Sequence, residues 1–86
     1  MEKKTIYAVS YTSYCTEIYN DVEAYDNIES AIDSANDYLA NAMDEMGDGF
    51  VLEKNFDNYK GRYQEIEVND YHNPTTFLIS ITMFEV

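Results

Sequence analysis

Carboxylates are the side chains with which this sequence could do the most chemistry. The 86 residues include 17 Asp and Glu against 5 Lys and Arg, which gives a formal net charge of −12 at pH 7. Between Thr5 and Glu53 the chain has eleven acidic residues and no Lys, Arg or His. A charge of this size repels nucleic acid and anionic lipid. The composition therefore excludes both as direct ligands and favours a cationic partner.

The other reactive side chains are few. Cys15 is the single cysteine, so it forms no internal disulfide, and it has no basic neighbour in the sequence to activate the thiol. His72 with Asp70 supplies only two possible metal ligands. The sequence contains no phosphate-binding, dinucleotide-binding or Ser/His/Asp pattern. We therefore predict a protein that is not an enzyme and that uses no metal and no cofactor.

Length and composition predict one cytoplasmic domain, residues 1–86. A chain this short builds one modest core with little room for a deep substrate cavity. Hydrophobic residues make up 45%, including nine Tyr and four Phe, which is too many for a disordered acidic tail. The lone cysteine favours a reducing compartment, and no apolar run is long enough for a signal peptide or a membrane span.

The clearest element that could position the carboxylates is a helix over residues 27–46. Asp26 is a suitable N-cap, Glu29 three positions later resembles a capping box, and Gly47 suits a left-handed C-terminal position. At about 100° per residue the apolar side chains share one broad face. That face consists of Ile28, Ile32, Ala35, Leu39, Ala42, Met43 and Met46.

Segments rich in β-branched and aromatic residues predict five strands. They are residues 4–11, 16–24, 50–54, 61–68 and 76–85. A hairpin turn is expected at 58–61, and a longer loop that contains Pro74 at 69–74. The order β-β-α-β-β-β predicts an α+β fold, an antiparallel sheet of about five strands with one amphipathic helix packed on one face. The strand over 16–24 alternates, and we expect its acidic row to form the outer face of the sheet.

Four helix carboxylates form what we call the helix stripe: Glu29, Asp33, Asp37 and Asp44. They lie within about 80° of arc on the side opposite the apolar face, with Asp26 and Asp48 close to the same line. Like charges four residues apart disfavour a helix by roughly 0.2–0.5 kcal/mol per pair, and a lysine would relieve this without any packing cost. The stripe is therefore either an ordinary solvated face or a surface complementary to a basic groove.

The candidate partner-binding residues follow from the second of these interpretations. On and after the helix they are Glu29, Asp33, Asp37, Asp44 and Asp48, and on the second strand Glu17, Tyr19, Asp21 and Glu23. Tyr19, like Tyr63, alternates with carboxylates, which is typical of interfaces. The helix stripe alone has one charge per roughly 6 Å, against one per about 1.7 Å of duplex DNA, so imitation of DNA would need the strand acids as well.

The acidic helix region 26–48, the small α+β layout and the charge of −12 resemble, in type, the small acidic inhibitors of phages and mobile elements. Anti-CRISPR and anti-restriction proteins are the groups concerned, and several of them are DNA mimics. The resemblance implies a viral inhibitor that acts in the cytoplasm of the host cell. It would bind the basic nucleic-acid-binding surface of a defence effector or nuclease.

Two other functions explain the same composition. An immunity protein or antitoxin would neutralise a basic nuclease or toxin by the same electrostatics. A small acidic regulatory or virion protein would instead pair through an exposed edge of its sheet. The sequence does not decide the strand order, the oligomeric state or the partner.

Overall fold

A computed structural model describes residues 4–14, 18–47, 52–70 and 73–86 of the chain. It contains β1 (Thr5–Tyr14), β2 (Ile18–Tyr25), α1 (Ile28–Met46), β3 (Tyr63–Asp70) and β4 (Asn73–Glu85). The strands form one antiparallel sheet in the order β2-β1-β4-β3. The α+β class with one helix and an antiparallel sheet is thus confirmed, whereas the described residues form four strands and not the expected five.

The sheet consists of two hairpins joined through its centre. β1 pairs with β2 and β3 pairs with β4, and each pair is adjacent in sequence. The hairpins meet where β1 pairs with β4 over ten residue pairs, from Thr5 opposite Glu85 to Tyr14 opposite Thr76. β1 and β4 are therefore the central strands, and β2 and β3 are the edges.

The strand predicted at 50–54 is wrong for its described part, residues 52–54, while residues 50 and 51 lie outside the described residues. The segment after α1 is irregular and covers the core. Leu52 is half-buried, and Phe56 and Tyr59 are buried. Asn36 of α1 holds this segment, because its Oδ1 accepts a hydrogen bond from the Phe56 amide at 2.9 Å. Leu52, Phe56 and Tyr59 therefore pack on the core from an irregular loop and not from a strand.

Both predicted connections differ from those observed. The turn expected at 58–61 spans Phe56 to Tyr59, whose amide donates to the Phe56 carbonyl at 2.9 Å, and it joins no hairpin. The loop expected at 69–74 is largely strand, because β3 continues to Asp70 and β4 begins at Asn73. Pro74 is accommodated there since the β3–β4 register shifts between Asn69 and Asp70, and prolines inside sheets occur at such irregularities.

The helix follows its prediction closely except at its first residue. Asn27, not Asp26, is the N-cap, and its side-chain oxygen accepts from the amides of Glu29 and Ser30. Gly47 ends the helix with the expected positive φ, 92°, although its ψ of −179° is extended rather than left-handed helical, and its amide donates to the Asp44 carbonyl. Helix residues that are fully or nearly buried are mostly small, namely Ala31, Ala35, Leu39 and Ala42. Ile28, which was expected on this face, is 37% exposed.

The hydrophobic core lies between α1 and one face of the sheet. Its strand residues are the alternate positions Val9, Ile66, Val68, Phe77, Ile79 and Ile81, all at most 4% exposed. No helix in the described part of the chain is both long and apolar enough to cross a membrane. The opposite side of the sheet, which we call the open face, carries no helix or other described element.

Candidate functional site

The acidic row of β2 lies on the helix side of the sheet. Glu23 pairs with Val9 and Asp21 with Tyr11, so both carboxylates project from the face that α1 covers. The expected acidic outer face is therefore wrong for β2. The alternation itself is confirmed, but the exposed apolar row, with Ile18 and Val22, points to the open face. β2 is an edge strand beside the helix, so its acidic row stays accessible to water.

An open groove of about 420 Å³ runs between β2 and α1. We call it the acidic groove. Two of its lining residues, Glu23 and Tyr25, come from β2. The other lining residues belong to α1, and they are Ser30, Asp33, Ser34, Asp37, Tyr38 and Asn41. Three carboxylates thus face one groove, and none of the described residues that line it is basic.

Tyrosine and serine hydroxyls hold the β2 carboxylates in place. The Tyr38 hydroxyl lies 2.9 Å from Asp21 Oδ2 and 3.1 Å from Glu23 Oε1, and it donates to this pair. Glu23 also accepts hydrogen bonds from the hydroxyls of Tyr25 and Ser34. Because these donors come from both elements, they fix the strand carboxylates relative to the helix stripe.

A cluster of aromatic rings supports this side of the groove. Tyr11 of β1 stacks on Tyr38 with ring centroids 4.9 Å apart and an interplanar angle of 16°. The same ring lies 5.9 Å from Phe77 and makes an edge contact with Tyr19 at 6.2 Å. The cluster packs against the Tyr38 ring from the side of the core, so the Tyr38 hydroxyl is held beside the carboxylates of β2.

The hydrogen bonds and the surroundings shift the pKa of two phenols. Burial, followed by the hydrogen bonds to Asp21 and Glu23, raises the pKa of Tyr38 well above its ordinary value of 10. The hydrogen bond to Glu23 is the main cause that raises the pKa of Tyr25. Both phenols therefore stay protonated, and so able to donate hydrogen bonds, to a higher pH than ordinary tyrosines.

The structure brings only part of the predicted site together. Asp33, Asp37 and Glu23 line the groove, and Asp21 joins them through Tyr38. The other described members of the predicted set are exposed but do not line it, namely Glu29, Asp44 and Tyr19. Glu17 and Asp48 lie outside the described residues, as do Cys15 and His72.

Sequence reasoning missed the hydroxyl groups of the groove. Ser34 and Tyr38 stand four residues apart on α1, next to the acidic positions, so the helical period places them on the groove side. Tyr25 continues the alternation of Glu23 on β2, which the acidic row already indicated. Without the strand register, however, nothing in the sequence places these three residues at one groove.

The chain matches no family model, curated protein or solved structure in comparisons with known proteins. Within the described ranges no three His, Cys, Asp or Glu side chains are grouped to hold a metal ion. The groove offers separate carboxylates beside tyrosine rings. Such an arrangement can accept guanidinium or ammonium groups by charge-assisted hydrogen bonds and by contact with an aromatic face.

Proposed function

We propose that the chain is a non-enzymatic inhibitor that occupies the basic nucleic-acid-binding surface of a defence effector, in the manner of an anti-CRISPR or anti-restriction DNA mimic. The observation that carries the proposal is the acidic groove, in which β2 and α1 contribute carboxylates to one concave surface. Arginine and lysine side chains that normally hold phosphates would bind there. The residues expected to bind the partner are Asp21, Glu23, Asp33 and Asp37, with Tyr19 at the margin.

Charge spacing supports imitation of a nucleic acid. Asp33 and Asp37 are one helical turn apart, about 6 Å, and Asp21 and Glu23 are two strand residues apart, about 7 Å. Two such rows side by side give one charge per roughly 3 Å, about half the linear density of duplex DNA. The second row, which the helix stripe alone lacked, comes from the orientation of β2.

The preorganisation of the groove supports tight binding. Glu23 accepts from three hydroxyls, and Tyr38 bridges to Asp21, so these carboxylates do not have to be ordered when the partner binds. Electrostatic steering by a protein of charge −12 would make association fast and dependent on salt. A partner arginine could also stack on the exposed ring of Tyr19.

The test compares two variants that remove the same number of charges from opposite sides of the sheet. The groove variant is Asp33→Asn with Asp37→Asn, and the control is Glu65→Gln with Glu67→Gln on the open face. Each protein is used for affinity capture from a lysate of a host that carries nucleic-acid-targeting defence systems. Captured effectors are then assayed for DNA cleavage with increasing inhibitor.

We expect the groove variant to lose at least about tenfold in affinity, since interfacial charge pairs contribute about 1.5 kcal/mol or more each. The control should retain capture and inhibition. Equal losses in both variants would mean that only total charge matters, which contradicts a groove-specific function. Capture of a toxin or nuclease encoded next to this chain would instead identify an immunity protein or antitoxin.

A further inference from the structure

The open face of the sheet lacks charge across three of its four strands. On β2, β1 and β4 the described open-face residues are uncharged, although the chain carries 22 charged residues in 86 (17 acidic and 5 basic). They are Ile18, Asn20, Val22 and Ala24 on β2, Ile6, Ala8, Ser10, Thr12 and Tyr14 on β1, and Thr76, Leu78, Ser80, Thr82 and Phe84 on β4. Within the strands the charged residues of this face are Glu65 and Glu67 of β3, and at its end Lys4 and Asp26 adjoin the ends of β1 and β2.

Several large apolar side chains of the open face are exposed. The exposed fraction is 72% for Ile18, 59% for Val22 and 51% for Phe84. Polar groups on the same face already bond to one another, since Asn20 donates to Thr12 and Tyr63 to Glu65. Large exposed apolar side chains that share one face are typical of an interaction surface.

The face has both a projection and a hollow. Phe84 projects from β4 directly beside Ile6 of β1. A hollow of about 380 Å³ adjoins this point, lined by Lys4, Ile6, Ala24, Tyr25 and Asp26. Because projection and hollow lie at the same end of one face, a two-fold operation can place each projection against the hollow of a second copy.

We propose that a second copy of this chain covers the open face, with the two sheets stacked so that β3 of each copy lies over β2 of the other. Charge selects this arrangement. A two-fold axis parallel to the strands reverses the strand order of the second sheet, so Glu65 and Glu67 meet uncharged β2. An axis across the strands would place these glutamates against their own copies, which repels.

The same two-fold axis gives the projecting ring of Phe84 a contact on the second copy. It places β4 of one copy over β1 of the other, so Phe84 lies over Ile6 of the second copy, beside the hollow. The helices and both acidic grooves remain on the outer sides of the dimer, where each groove is free to bind a basic partner.

The area of the face meets the requirement of a specific dimer. Four strands spaced by about 4.8 Å and ten residues of about 3.3 Å give a face of about 19 by 33 Å, or roughly 600 Å². Two faces would bury about 1,200 Å², the lower end of specific interfaces. Sheets that stack face to face normally lie about 10 Å apart and keep their strands within about 30°.

The test measures self-association of the full chain by sedimentation equilibrium at about 0.1 M and about 1 M NaCl. We expect a species of twice the 10.0 kDa chain mass that becomes tighter in high salt, because two chains of charge −12 repel less when screened. Binding of a basic partner to the acidic groove weakens in high salt, so the two proposals fail independently. A monomer at both salt concentrations up to millimolar protein would overturn this one.

Variants at Val22 test the arrangement of the two sheets. Val22 lies in the row of Ser10, Ser80 and Glu65, so the proposed axis places it over Glu65 of the second copy. Val22→Glu should raise the dimer Kd by at least about tenfold, whereas Val22→Lys should leave it unchanged or lower it. Equal weakening by both changes would overturn the arrangement.

A second pair of variants tests the projection and guards against misfolding. Phe84→Ala should raise the dimer Kd by at least about tenfold, because the ring packs on Ile6 of the second copy beside its hollow. Tyr19→Ala, which removes a similarly exposed ring on the helix side, should leave the Kd unchanged. Self-association that survives both Phe84→Ala and Val22→Glu, such as pairing through the β2 edge, would overturn the proposal.

Discussion

At the scale of single residues, Tyr38 decides how the groove is organised. Its ring stacks on Tyr11, and its hydroxyl donates to the carboxylates of Asp21 and Glu23. One side chain therefore joins the core to the charged surface. A phenol suits this role because it donates a hydrogen bond, adds no charge at neutral pH and has few rotamers.

The raised pKa of Tyr38 predicts a loss of stability in alkali. In the unfolded chain tyrosines ionise near pH 10, whereas the folded chain holds the Tyr38 proton to higher pH. Above about pH 10 the unfolded state therefore binds fewer protons, and the free energy of unfolding falls as pH rises. Below that pH the contribution is fully present. Urea unfolding at about pH 8, 10 and 11 measures the decline.

Tyr38→Phe provides the control for this prediction. The variant keeps the stacked ring but loses the hydroxyl, so we expect unfolding at neutral pH to become easier by about 1 kcal/mol and the alkaline decline to become shallower. Tyr25, Tyr59 and Tyr63 also have raised pKa values, so part of the decline should remain. An alkaline decline of the same steepness in Tyr38→Phe would contradict the assignment.

At the scale of elements, two neighbouring residues, Asp26 and Asn27, are candidates for the N-cap of α1. Only Asn27 accepts from the amides of Glu29 and Ser30. Asn27→Ala should therefore reduce the free energy of unfolding by about 1 kcal/mol. Asp26→Ala should cost only a few tenths of a kcal/mol, through the helix dipole. Thermal or urea unfolding of both variants checks this, and a larger loss for Asp26→Ala would restore the original prediction.

The helix was predictable from the sequence because its signals are local. Periodicity, the C-terminal Gly47 and the polar residues before Ile28 all lie within the element or next to it. The irregular structure of residues 52–54, where the sequence predicts a strand, was not predictable in the same way. Leu52 and its neighbours have strand-like composition. The side chain of Asn36, however, forms hydrogen bonds with the Phe56 amide and the Asp57 carboxylate, which tie this segment to the helix. A contact between distant residues thus overrides the local propensity.

The face of the sheet that the acidic row of β2 occupies could not be predicted from the sequence either. Alternation predicts two unlike faces but not which face meets the core, and a shift of one residue in register exchanges them. The pairing of Glu23 with the buried residue Val9 places the acidic row on the helix side, and this pairing is known only from the fold. All four carboxylates of the candidate site, Asp21, Glu23, Asp33 and Asp37, were among the residues predicted from the sequence. Their placement at one groove was not predicted, because it depends on the face that β2 presents to the helix.

At the scale of the whole molecule, the distribution of charge predicts how salt acts on folding. Acidic side chains crowd α1 and β2, and the chain carries −12 overall. Their mutual repulsion destabilises the compact state and is weakened by screening. We expect the free energy of unfolding to increase between about 0.01 M and about 0.5 M NaCl. The increase should be smaller in Asp33→Asn with Asp37→Asn, which relieves part of the repulsion directly.

Urea unfolding monitored by far-UV circular dichroism, at a protein concentration well below the dimer Kd, measures this effect without a contribution from association. A free energy of unfolding that is independent of salt would contradict this prediction and would mean that repulsion among the carboxylates contributes little to stability. The comparison with the double variant separates repulsion along the groove from repulsion over the whole surface.

The pairing of β1 with β4 joins the two ends of the chain. Each hairpin joins strands close in sequence and can form within microseconds, but Thr5 meets Glu85 only after nearly the whole chain has been closed into a loop. We therefore expect the pairing of β1 with β4 to limit the folding rate. Such non-local pairing slows folding, so this small domain should refold more slowly than helical proteins of its length.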